Sequence, residues 1–138
     1  MVRWRWRRRR APRDAAAELR RARVLVECHD EAASSSSFLN DAGFTRTDEV
    51  LLRHLVFVPD DASERFLTRL AGDGYVPAPA LPSDPAPPAG LVAVAVGRVQ
   101  RVDGQSLSRE RSLIASMAAR GAGVVGGWAV LEATVDEE

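Results

Sequence analysis

The sequence predicts an α+β fold in which two βαβ-like units share one sheet, and three observations carry that prediction. Residues 50–58 and 91–102 are rich in aliphatic residues and free of proline, the composition of buried strands. Each is followed by a segment of helical character that stops at glycine. Six of the eight prolines fall within 77–90, where they rule out a central strand, because proline donates nothing to a ladder.

The elements follow in chain order. Residues 1–13 form an arm of Arg and Trp closed by Pro12. Like charges this dense repel, which predicts disorder. Asp14 is a candidate N-cap for a first helix over 14–27, led by Ala15, Ala16, Ala17 and Glu18. The Ser34 to Ser37 run reads as loop or frayed helix, and a second short helix stops at Gly43. Residues 14–47 are therefore expected to be a helical preface.

The domain over 48–138 opens with a strand at 50–58 that ends at Pro59. Asp61 with Glu64 makes a capping signal, and Ala62, Phe66, Leu67, Leu70 and Ala71 fall on one helical face. Gly72 to Gly74 ends that helix, and Tyr75-Val76 starts a second strand. The proline-rich stretch 77–90 reads as a short edge strand and an extended loop. Leu91 to Val96 is a central strand, with Gly97 marking a bulge before it continues to Val102. Asp103-Gly104 turns the chain into a helix over 106–120, with Leu113, Ile114 and Met117 inward and Gly121 as its cap. Val124 to Val135 is the last strand, an edge strand carrying Gly126-Gly127-Trp128. Right-handed crossovers then give a ferredoxin-like βαββαβ sandwich with sheet order 4-1-3-2. The prolines agree, since Pro77 and Pro79 lie in strand two, an edge in that order.

Composition bounds the class. The 138 residues suffice for one domain with a modest core, and 46% hydrophobic with 28% charged residues is ordinary for a soluble protein. Net charge is zero but split. Residues 1–24 hold ten Arg against Asp14 and Glu18, and the rest holds nine Arg against seventeen acids, a balance of +8 and −8. All nineteen cations are Arg, the mark of GC-rich coding rather than of guanidinium chemistry at each position. Cys28 is the single cysteine and has no internal disulfide partner. The chain shows neither the apolar stretch of a secretory signal nor a run long enough to span a bilayer, so a cytoplasmic location follows by elimination.

No catalytic constellation emerges, and the residues imply no enzyme and no cofactor. Cys28-His29-Asp30-Glu31 places four metal-ligating types in a row, but zinc sites need spaced pairs, so the run reads as a helix end with solvated acids. His54 lies among aliphatics with no indicated Ser, Cys or carboxylate partner, as a hydrogen-bonded structural histidine does. The glycines at 121–127 lack the order and the Lys-Ser/Thr ending of a phosphate loop. Trp128 is either a core plug or a partner anchor. In the arm, Arg3, Trp4, Arg5, Trp6, Arg7, Arg8, Arg9 and Arg10 form a set able to neutralise phosphates and stack on bases, or to lie on an anionic surface. An idle, back-folded or untranslated arm fits the same residues.

These residues resemble the regulator of ribonuclease E activity B family. The likeness rests on His54-Leu55-Val56-Phe57-Val58-Pro59-Asp60-Asp61, Gly74-Tyr75-Val76, the Leu113–Ile114–Met117 helix and a terminal Gly-Trp pair. The family's Tyr-Asp-Gly-Trp-Gly reads here as Val125-Gly126-Gly127-Trp128-Ala129, so Gly127 and Trp128 match and the rest depart. The resemblance implies a non-enzymatic cytoplasmic protein that binds and restrains an RNA-degrading endonuclease. It points to Gly127, Trp128, His54, Asp60 and Asp61 as the partner-binding residues. The alternative is a nucleic-acid-associated protein working through its arm. A small-ligand sensor comes third, and it would need a deep pocket with converging polar groups, which the sequence does not lead one to expect.

Overall fold

The strand Val50–Val58 is buried at all nine positions because both of its faces are covered. The computed structural model describes residues 23–78 and 80–132. In chain order they form β1 (Arg23–Cys28), α1 (Ser35–Asp41), β2 (Val50–Val58), α2 (Asp60–Ala71), β3 (Val76–Ala78), β4 (Val92–Gln100), α3 (Gly104–Arg120) and β5 (Val124–Glu132). Successive side chains of a strand point to opposite faces. Val50 and Leu52 of β2 pack with Leu39 of α1 and Leu107 of α3, while Val56 and Val58 pack with Phe66 and Leu70 of α2 and Ile114 of α3. Leu51, Leu55 and Phe57 face the other way, toward Leu81 and Leu91 of the proline-rich segment. Each fully buried leucine of this kind stabilises by about 1.5–3 kcal/mol before entropy is counted.

The five strands form one sheet in the order β1-β5-β2-β4-β3, and all neighbours are antiparallel. This is an α+β fold with an open sheet. It differs from the expected four-stranded sheet in the order 4-1-3-2, because a fifth strand is present and the last strand is not an edge. The extra strand, β1, occupies residues expected to end the first helix. Its burial alternates toward Val26 and Cys28, which turn to the core while the intervening residues stay more open. Val24, Leu25 and Val26 carry β-favouring side chains, and pairing with β5 outweighs the helix propensity of the alanines before them. Those alanines, with the remainder of 1–22, lie outside the described residues, and so does the arm.

The smaller features also moved. Gly97 is not a bulge: β2 and β4 stay in register through Arg53↔Gly97. A Cβ there would come within 2.9 Å of the Leu51 side chain, so the glycine answers to packing. The register shifts instead opposite Leu55 and Val56, where Gly127 and Val125 are the partners and Gly126 is skipped. That bulge puts Val125 and Trp128, three residues apart, on the same helix-covered face. Helix α2 is not capped by Asp61 and Glu64; its N-cap lies two residues earlier at Pro59, with no side-chain cap. Helix α3 starts at Gly104 behind a reciprocal cap between Asp103 and Ser106. Its inward residues are Leu107, Ile114 and Ala118, whereas Leu113 is 41% exposed. The Ser34–Ser37 run is ordered: Ser34 caps α1 through the N–H of Ser37, and the helix begins at Ser35.

Candidate functional site

On its helix-covered face, β2 reads Val50, Leu52, His54, Val56, Val58, so one polar residue interrupts an aliphatic row. The interruption divides two apolar clusters, one under α1 and the start of α3, the other under α2 and the end of α3. His54 is 2% exposed, and Trp128 of β5, 3% exposed, is its direct cross-strand partner. Side chains so paired stand about 4.5–5.5 Å apart at Cβ. The bulge at Gly126 is what gives Trp128 this orientation. Gly127 has φ of +143°, and a Cβ there would lie 2.6 Å from both the Cys28 carbonyl and His29 Nδ1. Glycine therefore meets two demands, backbone conformation and close approach.

A polar network flanks the pair. The Tyr75 ring meets His54 edge-on at 6.1 Å, and the Arg98 guanidinium lies 4.6 Å over the Tyr75 ring. The Tyr75 hydroxyl donates to Glu110 Oε1, while Arg98 Nη2 donates to Glu110 Oε2. Burial pushes the Glu110 carboxyl above its usual range, and the charge of Asp73 adds to the rise. On the other side Phe38 packs edge-on to Trp128 at 5.6 Å, and Arg111 stands 6.0 Å from the indole ring. His54 is pushed down to about 3, first by burial and then by the charges of Arg98 and Arg111. It is therefore a neutral imidazole at neutral pH.

Over this floor lies a cleft of about 510 Å³. One wall is the turn from Cys28 into α1, and the other is the Ser108–Arg111–Ser112 side of α3. The turn is built by local bonds: Cys28 Sγ accepts from the Asp30 N–H, Ala32 N–H donates to Asp30 Oδ1, and His29 Nδ1–H donates to the Gly126 carbonyl. Arg111 ties the walls together, donating to the carbonyls of Glu31 and Ala33 and to the Ser35 hydroxyl. Two residues that line it, His54 and Trp128, each keep one side-chain atom, Nε2 and Nε1, buried without a hydrogen-bond partner. Leaving such groups unmatched costs about 1–3 kcal/mol each.

The residues the sequence singled out thus divide. His54, Gly127 and Trp128 come together in the cleft. Asp60 and Asp61 do not; they are exposed in the first turn of α2. Arg3 to Arg10 with Trp4 and Trp6 lie outside the described residues. Cys28 and His29 are committed to the turn, and no group of three or more metal-ligating side chains occurs among the described residues. Arg111 and Ser35 were missed. The signal existed for Arg111, which interrupts the buried row Leu107, Ile114, Ala118 of α3 as His54 interrupts β2. Among the described residues no helix is long and apolar enough to cross a membrane. No family model matches the chain, and no curated protein or solved structure matches it. The resemblance to the ribonuclease E regulator family therefore stands on the quoted motifs alone.

Proposed function

We propose that this protein is a small-molecule-binding module whose site is the cleft over His54 and Trp128. One observation carries the reading: two cross-strand partners that line a cleft of about 510 Å³, His54 and Trp128, each keep a buried polar atom without a hydrogen-bond partner. That volume suits a small ligand, and the lining mixes polar groups of the turn and of α3 with apolar ones such as Ile114, Ala115 and Val125. Binding is favoured over catalysis, because an imidazole held at about 3 is a poor general base near neutrality. The scaffold reading that goes with it is a ferredoxin-like unit extended by β1 and α1. Its support is that α2 and α3 each join two strands that flank a third.

A thermal-shift screen of small metabolites tests the function. Compounds that raise the melting temperature of the wild type should fail to raise that of Ala115→Phe, which fills the cleft from its rim. Stabilisers that act equally on both would place binding elsewhere. The exposure of Asp60 and Asp61 favours a second reading, in which the protein binds and restrains a partner protein, an RNA-degrading endonuclease by the resemblance. There, Asp60→Arg with Asp61→Arg should abolish inhibition of such an enzyme in a purified assay. Lack of inhibition by the wild type would end that reading.

A further inference from the structure

The charge beside the cleft narrows what the cleft can hold. Four of the described arginines are at least partly buried: Arg46, Arg53, Arg98 and Arg111. Three of them hold carboxylates. Arg46 pairs with Asp48 and Glu132, Arg53 with Asp84, and Arg98 with Glu110. Arg111 differs. Its donors go to two carbonyl oxygens and one hydroxyl, and among the described residues no carboxylate lies within ion-pair distance of it. Carbonyls accept hydrogen bonds but do not neutralise a full charge, and a partly desolvated charge favours a counter-ion. The acids at the rim, Asp30 and Glu31, are exposed, and Asp30 is turned back to the Ala32 N–H.

The floor points the same way. An indole N–H is a donor and cannot accept, so Trp128 needs an acceptor. Neutral His54 offers a second donor when its proton is on Nε2. Two N–H donors side by side on paired strands, under a guanidinium with no carboxylate of its own, suit an acceptor group bearing negative charge. The apolar part of the lining, Ile114, Ala115 and Val125, suits a short hydrocarbon or aromatic body. Resting on the ligand-binding reading above, we propose that the cleft takes a small carboxylate, its oxygens received by Trp128 and His54 and its charge matched by Arg111.

Matched probes separate the two claims. Benzoate, benzamide and benzylammonium share one ring and differ in charge. Each is titrated into the ¹⁵N-labelled full chain, and the indole N–H resonance of Trp128 is followed, assigned by its loss in Trp128→Phe. Benzoate should move that resonance and bind at least about tenfold more tightly than benzamide. Benzylammonium should not bind. Arg111→Gln should bring benzoate down to the level of benzamide, while Arg111→Lys keeps the preference. The ranking in the wild type needs no variant, so it decides the matter even if Arg111→Gln does not fold. Equal binding of benzamide or benzylammonium would overturn the carboxylate class and leave the ligand site in place. Silence from all three probes would also overturn the carboxylate class, and the thermal-shift screen then judges the ligand site separately.

Discussion

Arg53 and His54 are neighbours on β2, each 2% exposed, and they meet opposite fates. Arg53 points to the face covered by the proline-rich segment. There Asp84 receives both of its Nη groups, at 3.1 and 2.7 Å, and accepts the Leu81 N–H as well. His54 points to the face covered by helices and finds no partner for Nε2. One side of the sheet is thus sealed by a matched ion pair, and the other keeps a polar seam open to a cleft. The difference is one of covering material. A loop can shape its backbone around a single side chain. Helices are stiff cylinders about 10 Å across, and they leave a groove where two of them part.

Breaking the sealed side should have the largest effect. Asp84→Ala leaves a guanidinium buried without its carboxylate and is expected to cost about 3–5 kcal/mol in urea denaturation. The double variant Arg53→Met with Asp84→Ala should recover most of that loss. If it does not, the loop anchor rather than the charge is what Asp84 supplies.

On the open side, Trp128→Ala is expected to cost about 3 kcal/mol, near the low end for a buried aromatic. The reason is that the space created adjoins a cleft and is not a closed void. A cost above that of Asp84→Ala would erase the contrast between the two faces.

Next in size is an acid effect that belongs to the open side alone. The folded value of His54, about 3, lies below its ordinary 6.5, so the unfolded chain binds the proton more readily. Its contribution is fully present above about pH 6.5 and is lost as pH falls toward 3. Between pH 7 and 5 the loss is roughly 2 kcal/mol. The groups facing the ring are Arg98 from β4, Arg111 from α3 and the aromatic ring of Tyr75, whose hydroxyl is engaged with Glu110. Glu110, raised by burial, works in the opposite sense at lower pH. Comparing His54→Phe with the wild type across pH isolates the histidine, and parallel curves would refute its role.

Smallest of all, Leu113→Ser should change stability by no more than about 0.5 kcal/mol, since that side chain is 41% exposed. The same denaturation assay checks it.

What could be read in the chain beforehand follows the range of the forces involved. The strands over 50–58 and 91–102 and the end of α3 at Gly121 were legible, because apolar runs and caps are local signals. Strand β1 was not. Its neighbours in sequence favour helix, and only β5, about a hundred residues later, makes it a strand. The expected inward face of α3, Leu113, Ile114 and Met117, holds for Ile114 but runs one step round from the true row at Leu113, and that hides Arg111. His54 was visible as an oddity. Its meeting with Trp128 was not, because the bulge that turns the indole toward it has no signature beyond two glycines.

That bulge has a consequence for how the gene can change. Before Gly126 the strand serves the cluster under α2; after it, the strand serves the cluster under α1. Loss of this single codon would repair itself: Val125 and Gly127 would become neighbours, Val125 and Trp128 would stand two apart, and plain alternation would keep both on the helix-covered face. An extra or missing residue at a paired position of β5 has no such remedy, because one half of the strand would trade inside for outside. Gly126 is a hyphen in β5: without it the two halves of the strand still join into one word.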